Sequence, residues 1–321
     1  MSPPRHFSFH RYLAAKKSID DRALNRGVWD ALLQEVRARP AATPLRVLEA
    51  GAGIGTMVER LMDWGLFDTW PPSAGEGAAL LTAFDADPRN IAALRTRLPE
   101  WAAGRGMIAE GDREGITLSR AGLRLRVEAE AADLFSFAAR ARGRQTWDVL
   151  VANAVLDVLD VPAALDALLP LIPGGLLYAT ITYDGLTAFE PVIDAALDER
   201  VIALYHRTMA ERGGGAGAGG GSDAGRRLFH QLRVAECDVL AMGSADWVVF
   251  PGAGGYHDDD AFFLHFILKT IDEALRGRPE LDPLEYARWI TTRRAQVERG
   301  ELVLIAHQLD VLARAPTPVG S

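Results

Sequence analysis

The sequence predicts an α/β fold: a doubly wound, mostly parallel, seven-stranded sheet with helices ahead of it and further helices inserted towards its end. Three observations carry this. Short apolar runs alternate with longer stretches of helical periodicity, as strands joined by crossover helices do. The run from Trp147 to Ala152, broken only by Asp148, is more continuously apolar than its neighbours, as expected of a strand buried on both faces. Glycines gather where the chain would turn, at residues 51–55 after one strand and at Gly174 and Gly175 before another.

In chain order, Tyr12, Leu13, Ile19, Leu24, Val28, Trp29, Leu32, Leu33 and Val36 recur near a period of 3.6 and predict an N-terminal helical region, broken by Pro40 and Pro44. Strands are expected at Leu45–Glu49, Leu80–Phe84, Leu123–Val127, Trp147–Ala152, Leu176–Ile181 and Val239–Phe250, with Glu301–Ala306 as a closing edge strand. Helices are expected at Met57–Trp64, from Pro88 behind an Asp87 cap, and at Leu165–Leu171, Phe189–Met209, Arg226–Val234, Asp260–Leu275 and Pro283–Arg299. Gly213–Gly221, nearly all glycine, reads as a flexible surface loop. The chain is expected to be one decorated domain: a helical cap over 1–43, a ligand-binding core over 44–183, a helical and glycine-rich insertion over 184–225, and a completion of the sheet over 226–321.

Composition excludes several classes. The 321 residues are 49% hydrophobic, enough for a sizeable core. Against 35 Lys and Arg stand 43 Asp and Glu, for a net charge of -8, which argues against a nucleic-acid partner. The single cysteine, Cys237, excludes an internal disulfide framework and any cysteine-cluster metal site. No apolar run approaches the roughly 18 residues of a membrane span. The N-terminal residues lack a secretory signal's apolar stretch, so a cytoplasmic protein without a membrane partner is expected.

The chemistry concentrates at Glu49, Gly51, Ala52, Gly53 and Gly55, between a strand and a helix. Such a turn lets backbone approach a ligand and aims helix amides at it. A phosphate-cradling loop would need Gly-Lys-Ser/Thr, but Thr56 and Met57 follow Gly55. The nicotinamide fingerprint needs glycine at its sixth position, where Thr56 stands. What remains, Glu-x-Gly-x-Gly-x-Gly, resembles the first motif of the class I S-adenosylmethionine-dependent methyltransferases. Three further stretches fit in order: Asp85 and Ala86 after the second strand, Asp133 and Leu134 after the third, and Asn153 after the fourth, followed by Pro173, Gly174 and Gly175. The resemblance covers residues 45–183.

It implies a Rossmann-like core and S-adenosyl-L-methionine as cofactor. Glu49 and the glycines would hold its methionine part, Asp85 its ribose, and Asp133 its adenine. It implies methyl transfer to an acceptor in line, and the missing base-methylation motif, with the acidic balance, favours a small-molecule substrate over nucleic acid. Alternatives are a non-catalytic cofactor-binding protein and, from Asp157 and Asp160 as an amine-binding pair, an aminopropyltransferase-like enzyme. The catalytic candidates are Asp157, Tyr183 as it leaves the fifth strand, and His257 as a general base. Asp258 to Asp260 beside His257 do not make a metal site, because consecutive residues rarely converge on one ion. His307 and Gln308 read as buried partners. Phe262, Phe263, Phe266, Ile267 and Ile271 share a helical face that would serve the core, or else a partner such as a second copy in a homodimer.

Overall fold

The computed structural model describes residues 7–39, 44–69, 78–212 and 221–317. Two helices open the chain, α1 (Phe9–Ala23) and α2 (Arg26–Arg37). Ser8 caps the first by accepting from Arg11 N, and Asn25 caps the second by accepting from Val28 N. The N-terminal helical pattern is therefore split at Asn25, whose side chain starts a new helix.

Five strands follow, each leading to a helix or a further strand: β1 (Arg46–Ala50), α3 (Thr56–Asp63), β2 (Ala78–Asp85), α4 (Pro88–Ala103), β3 (Ile108–Gly111), β4 (Gly115–Arg120), β5 (Leu123–Ala131) and α5 (Leu134–Ala141). The second half runs β6 (Val149–Asn153), α6 (Val161–Leu168), β7 (Leu176–Glu190), α7 (Ala195–Arg212), α8 (Ala224–Val234), β8 (Asp238–Ser244), β9 (Trp247–Val249), α9 (Asp260–Leu275), α10 (Pro283–Glu298) and β10 (Val303–Arg314). The strands form one sheet in the order β3-β4-β5-β2-β1-β6-β7-β10-β8, with β9 also paired to β10.

This corrects the expected seven-stranded sheet: among the described residues the sheet has ten strands and is mixed. The five central strands from β5 to β7 are parallel, while β10 runs against β7, and β8 and β9 against β10. The antiparallel β3–β4 hairpin extends the other edge. It escaped sequence reading because β3 is mostly exposed and has no apolar alternation. β7 does not stop at Ile181; it pairs with β10 as far as Glu190, so Tyr183 lies inside the strand and α7 begins later than expected. The last strand is not an edge, since β10 lies between β7 and β8. Of the expected loop Gly213–Gly221, all but Gly221 lies outside the described residues, as do Trp70–Gly77.

Helices α2, α3 and α4 pack on one face of the sheet and α5, α6 and α8 on the other. A third apolar cluster joins α7, α9 and α10 to the ends of β7 and β10. In it Phe263, Leu264, Leu268 and Ile271 are buried, so much of that helical face serves the core. A fully buried side chain of that kind contributes about 1.5–3 kcal/mol. The sheet order reverses between β1 and β6, leaving a crevice at the C-terminal ends of the central strands.

Candidate active site

The β1–α3 turn is shaped by glycines in left-handed backbone. Gly51 has φ 71°, and a Cβ there would stand 2.8 Å from the Val155 side chain. At Gly55, φ 85°, a Cβ would meet Leu94 at 2.9 Å. Any larger residue at either site would be both strained and crowded. The turn is tied to the end of β2, because Gly51 N and Ala52 N both donate to Phe84 O. Gly53 N donates to Asp85 Oδ2 at 2.8 Å. The other oxygen of Asp85 accepts from Asp87 N and Asn90 Nδ2, at 2.8 and 3.0 Å.

Around this turn opens a cavity of about 540 Å³, at the reversal of strand order. Its lining brings together Glu49, Gly51, Ala52, Gly53, Asp85, Ala86, Asn153, Asp157 and Tyr183. Gly55 stands one step behind, as the cap position of α3. Asp133 and Leu134 are not in the lining: Asp133 caps α5 by accepting from Ser136 N, and Leu134 is buried in the core. His257 is also elsewhere. It is exposed, accepts from Arg22 at Nδ1 (3.2 Å) and lies 3.1 Å from Asp258, in the loop ahead of α9. Asp160 caps α6 through Ala163 N, so Asp157 and Asp160 do not form a pair at the cavity.

Two lining carboxyls are electrostatically unusual. Glu49 is 2% exposed and its Oε2 has no hydrogen-bond partner. Burial pushes its pKa up to about 8, against the pull of Arg60 and helped by Asp85. The Asp157 carboxyl is raised to about 6, chiefly by burial and opposed by a backbone amide and Lys16. Its Oδ1 is buried without a partner. The Tyr183 hydroxyl hydrogen-bonds Thr187 Oγ1 at 2.6 Å and His206 Nε2 at 2.7 Å. Burial holds that phenol above its ordinary range and holds the His206 imidazole below its own, so His206 is neutral near pH 7.

The remaining walls come from segments with no recognisable motif. α1 contributes Phe9, Tyr12, Leu13, Lys16 and Asp20; α7 contributes Tyr205 and Met209; β9 contributes Trp247 and β10 contributes Gln308. Gln308 was expected to be a buried partner. It is 1% exposed, yet it lines the cavity with Oε1 unpaired. Lys16 is buried against Asp20 (2.6 Å) and lies 5.0 Å from the Trp247 ring centre. Two lining residues, Ala154 and Ile181, have left-handed backbone at φ 53° and 52°. The Ile181 N–H is held by Asp310 Oδ1 at 2.8 Å, beside an irregularity in the β7–β10 register. Such strain costs on the order of 1–3 kcal/mol and gathers at functional sites. Among the described residues no group of three or more His, Cys, Asp or Glu is placed to hold a metal ion.

Neither a protein-family model nor a curated protein matches the chain. Solved structures do. The [4+2]-cyclase SpnF is 14% identical, with 96% of this chain and 94% of that chain covered and a TM-score of 0.42. An S-adenosylmethionine-dependent methyltransferase from Thiobacillus denitrificans, solved with S-adenosyl-L-homocysteine, is 16% identical over 98% of this chain and 100% of that one, TM-score 0.42. The plantazolicin methyltransferase BpumL, solved with a triazolic desmethylPZN analog and S-adenosylhomocysteine, is 15% identical over 95% of this chain and 90% of that one, TM-score 0.40. At such values the functional reading rests on the chain's own residues.

Proposed function

We propose that the protein is an S-adenosylmethionine-dependent methyltransferase acting on a small-molecule acceptor. The observation that carries this is Glu49, buried beside the glycine turn with an unpaired oxygen in the lining of the cavity. A buried carboxyl without a partner costs free energy, and a cationic amino group would supply both donor and charge. Gly51 and Gly53 leave the neighbouring backbone bare for a methionine moiety. Asp85 Oδ2 accepts only from Gly53 N and keeps a second lone pair, so the carboxylate can accept a ribose hydroxyl while holding the turn. The buried, unpaired Asn90 Oδ1 offers another acceptor on the same wall. When bound, S-adenosylmethionine supplies a methyl group on a sulfonium, which an acceptor nucleophile takes in line.

The chain's part is then to align the acceptor and exclude water. Helix α1 closes the cavity with Phe9, Tyr12 and Leu13 and serves as its cap. Asp157 and Tyr183 orient the acceptor. His206, neutral and 2.7 Å from the Tyr183 hydroxyl, is the group that can receive a proton on that side. Calorimetric titration with S-adenosylmethionine and S-adenosylhomocysteine tests the reading. Micromolar binding of both is expected, and a folded protein that binds neither at millimolar concentration would contradict it. Transfer of a labelled methyl group to an extracted metabolite separates the enzyme from a cofactor-binding protein without activity.

A further inference from the structure

We infer that the acceptor carries an amine that is protonated in the bound complex, on a small apolar or aromatic body, and that Asp157 and Gln308 recognise it. This rests on the methyltransferase reading, which assigns the Glu49 end of the cavity to the cofactor. Away from Glu49 and Asn90, the lining holds two buried oxygens without partners, Asp157 Oδ1 and Gln308 Oε1. Both are acceptors, so the missing partner is a donor.

Charge selects among donors. The described lining has Asp20, Glu49, Asp85, Asp87 and Asp157 against a single cation, Lys16. Lys16 is already committed to Asp20 and sits close to the Trp247 ring. Asp157 feels the Lys16 charge but forms no ion pair among the described residues, and a hydroxyl would satisfy its hydrogen bond without its charge. The surroundings fit an ammonium as well. Burial foremost, then the fields of Asp20, Tyr205 and Asp157, holds the Tyr12 phenol well above its usual range. Asp157 and Tyr205 act in the same direction on Tyr183. Asp157 shares the cavity wall with Tyr12, Tyr183 and Tyr205, and a carboxylate and aromatic rings both favour cations. The remaining wall is apolar, with Val158, Met209, Ile267 and Leu304. About 540 Å³ shared with a cofactor admits a small body.

The test titrates phenethylamine, 2-phenylethanol and phenylacetate, matched in shape and different in charge, into the full chain saturated with S-adenosylhomocysteine. The amine is expected to bind about tenfold or more tighter than the alcohol, with no detectable binding of phenylacetate. Asp157→Asn should remove that preference while leaving S-adenosylhomocysteine affinity within about twofold. Equal or tighter binding of the alcohol or the acid, no amine binding at millimolar concentration, or a preference that survives in Asp157→Asn would overturn the inference. Should that variant fail to fold, the ranking of the three probes on the parent protein still decides. Failure of S-adenosylhomocysteine itself to bind is a separate result, which strikes the cofactor reading.

Discussion

The two ends of the cavity were built from the chain in different ways. The Glu49 end comes from residues 49–54 and 85–90, two strand ends and the turns after them, tied together by the Gly53–Asp85 hydrogen bond. The Asp157 end gathers α1, the segment after β6, α7, β9 and β10, with Tyr12 and Gln308 almost three hundred positions apart. Backbone geometry defines the first end, and side-chain packing defines the second. A turn that must present bare backbone and left-handed angles restricts which residues can occupy it. A wall of packed side chains can be assembled from many sequences. The Glu49 end is therefore specified by the fold, and the Asp157 end by whatever helices and strands the chain lays over it.

Substitutions should separate the ends. The largest effect is expected at Asp85→Ala, which removes acceptors from Gly53 N, Asp87 N and Asn90 Nδ2 along with the proposed ribose contact. Calorimetry should show affinity for S-adenosylhomocysteine falling by about a hundredfold, and acceptor-end probes losing binding only through the lost cofactor. Unchanged affinity would remove Asp85 from the site.

Glu49→Gln comes next and should move stability and binding in opposite directions. Its carboxyl has a folded pKa near 8, above the ordinary 4.5, so the folded state holds the proton more tightly than the unfolded chain. That contribution is present below the unfolded value and is lost as pH rises through the folded one. Asp310, raised to about 7 chiefly by burial, acts with the same sign. The variant should accordingly be more stable than the parent near pH 8, by roughly 1–4 kcal/mol, with a flatter decline in thermal midpoint from about pH 5 upward. Cofactor affinity should fall about tenfold, because the cationic amino group loses its counter-charge. A variant that is no more stable at pH 8 would mean that Glu49 is not strained by burial.

At the other end, Tyr183→Phe should leave S-adenosylhomocysteine affinity unchanged and reduce methyl transfer, at a stability cost of about 1 kcal/mol for the hydroxyl shared with Thr187 and His206. The smallest effect is expected at His257→Ala. The residue is exposed and outside the lining, so both stability and cofactor binding should stay within about 0.5 kcal/mol of the parent. A large loss of activity there would reinstate it as a base.

What the sequence revealed follows the same division. The central parallel strands, α3 after the glycine turn, and Glu49, Gly51, Gly53 and Asp85 were legible because turn chemistry and apolar runs are local signals. Asp133 was legible only as an acidic residue after a strand, a position equally suited to capping α5, which is where its side chain lies. The β3–β4 hairpin and the far half of β7 were missed because half-exposed strands need not be apolar: partners supply their hydrogen bonds. Gln308 and Lys16 gave no signal. A polar residue in a strand and a lysine in a mixed-charge helix become site residues only when the fold turns them inward.

A crystal structure with S-adenosyl-L-homocysteine tests most directly whether the Glu49 end of this cavity holds S-adenosylmethionine. The amino nitrogen should lie within hydrogen-bonding distance of Glu49 Oε2, a ribose hydroxyl on Asp85 Oδ2, and the sulfur turned towards Asp157 and Tyr183. A ligand seated elsewhere, or one whose amino group leaves Glu49 Oε2 unpaired, would contradict that placement.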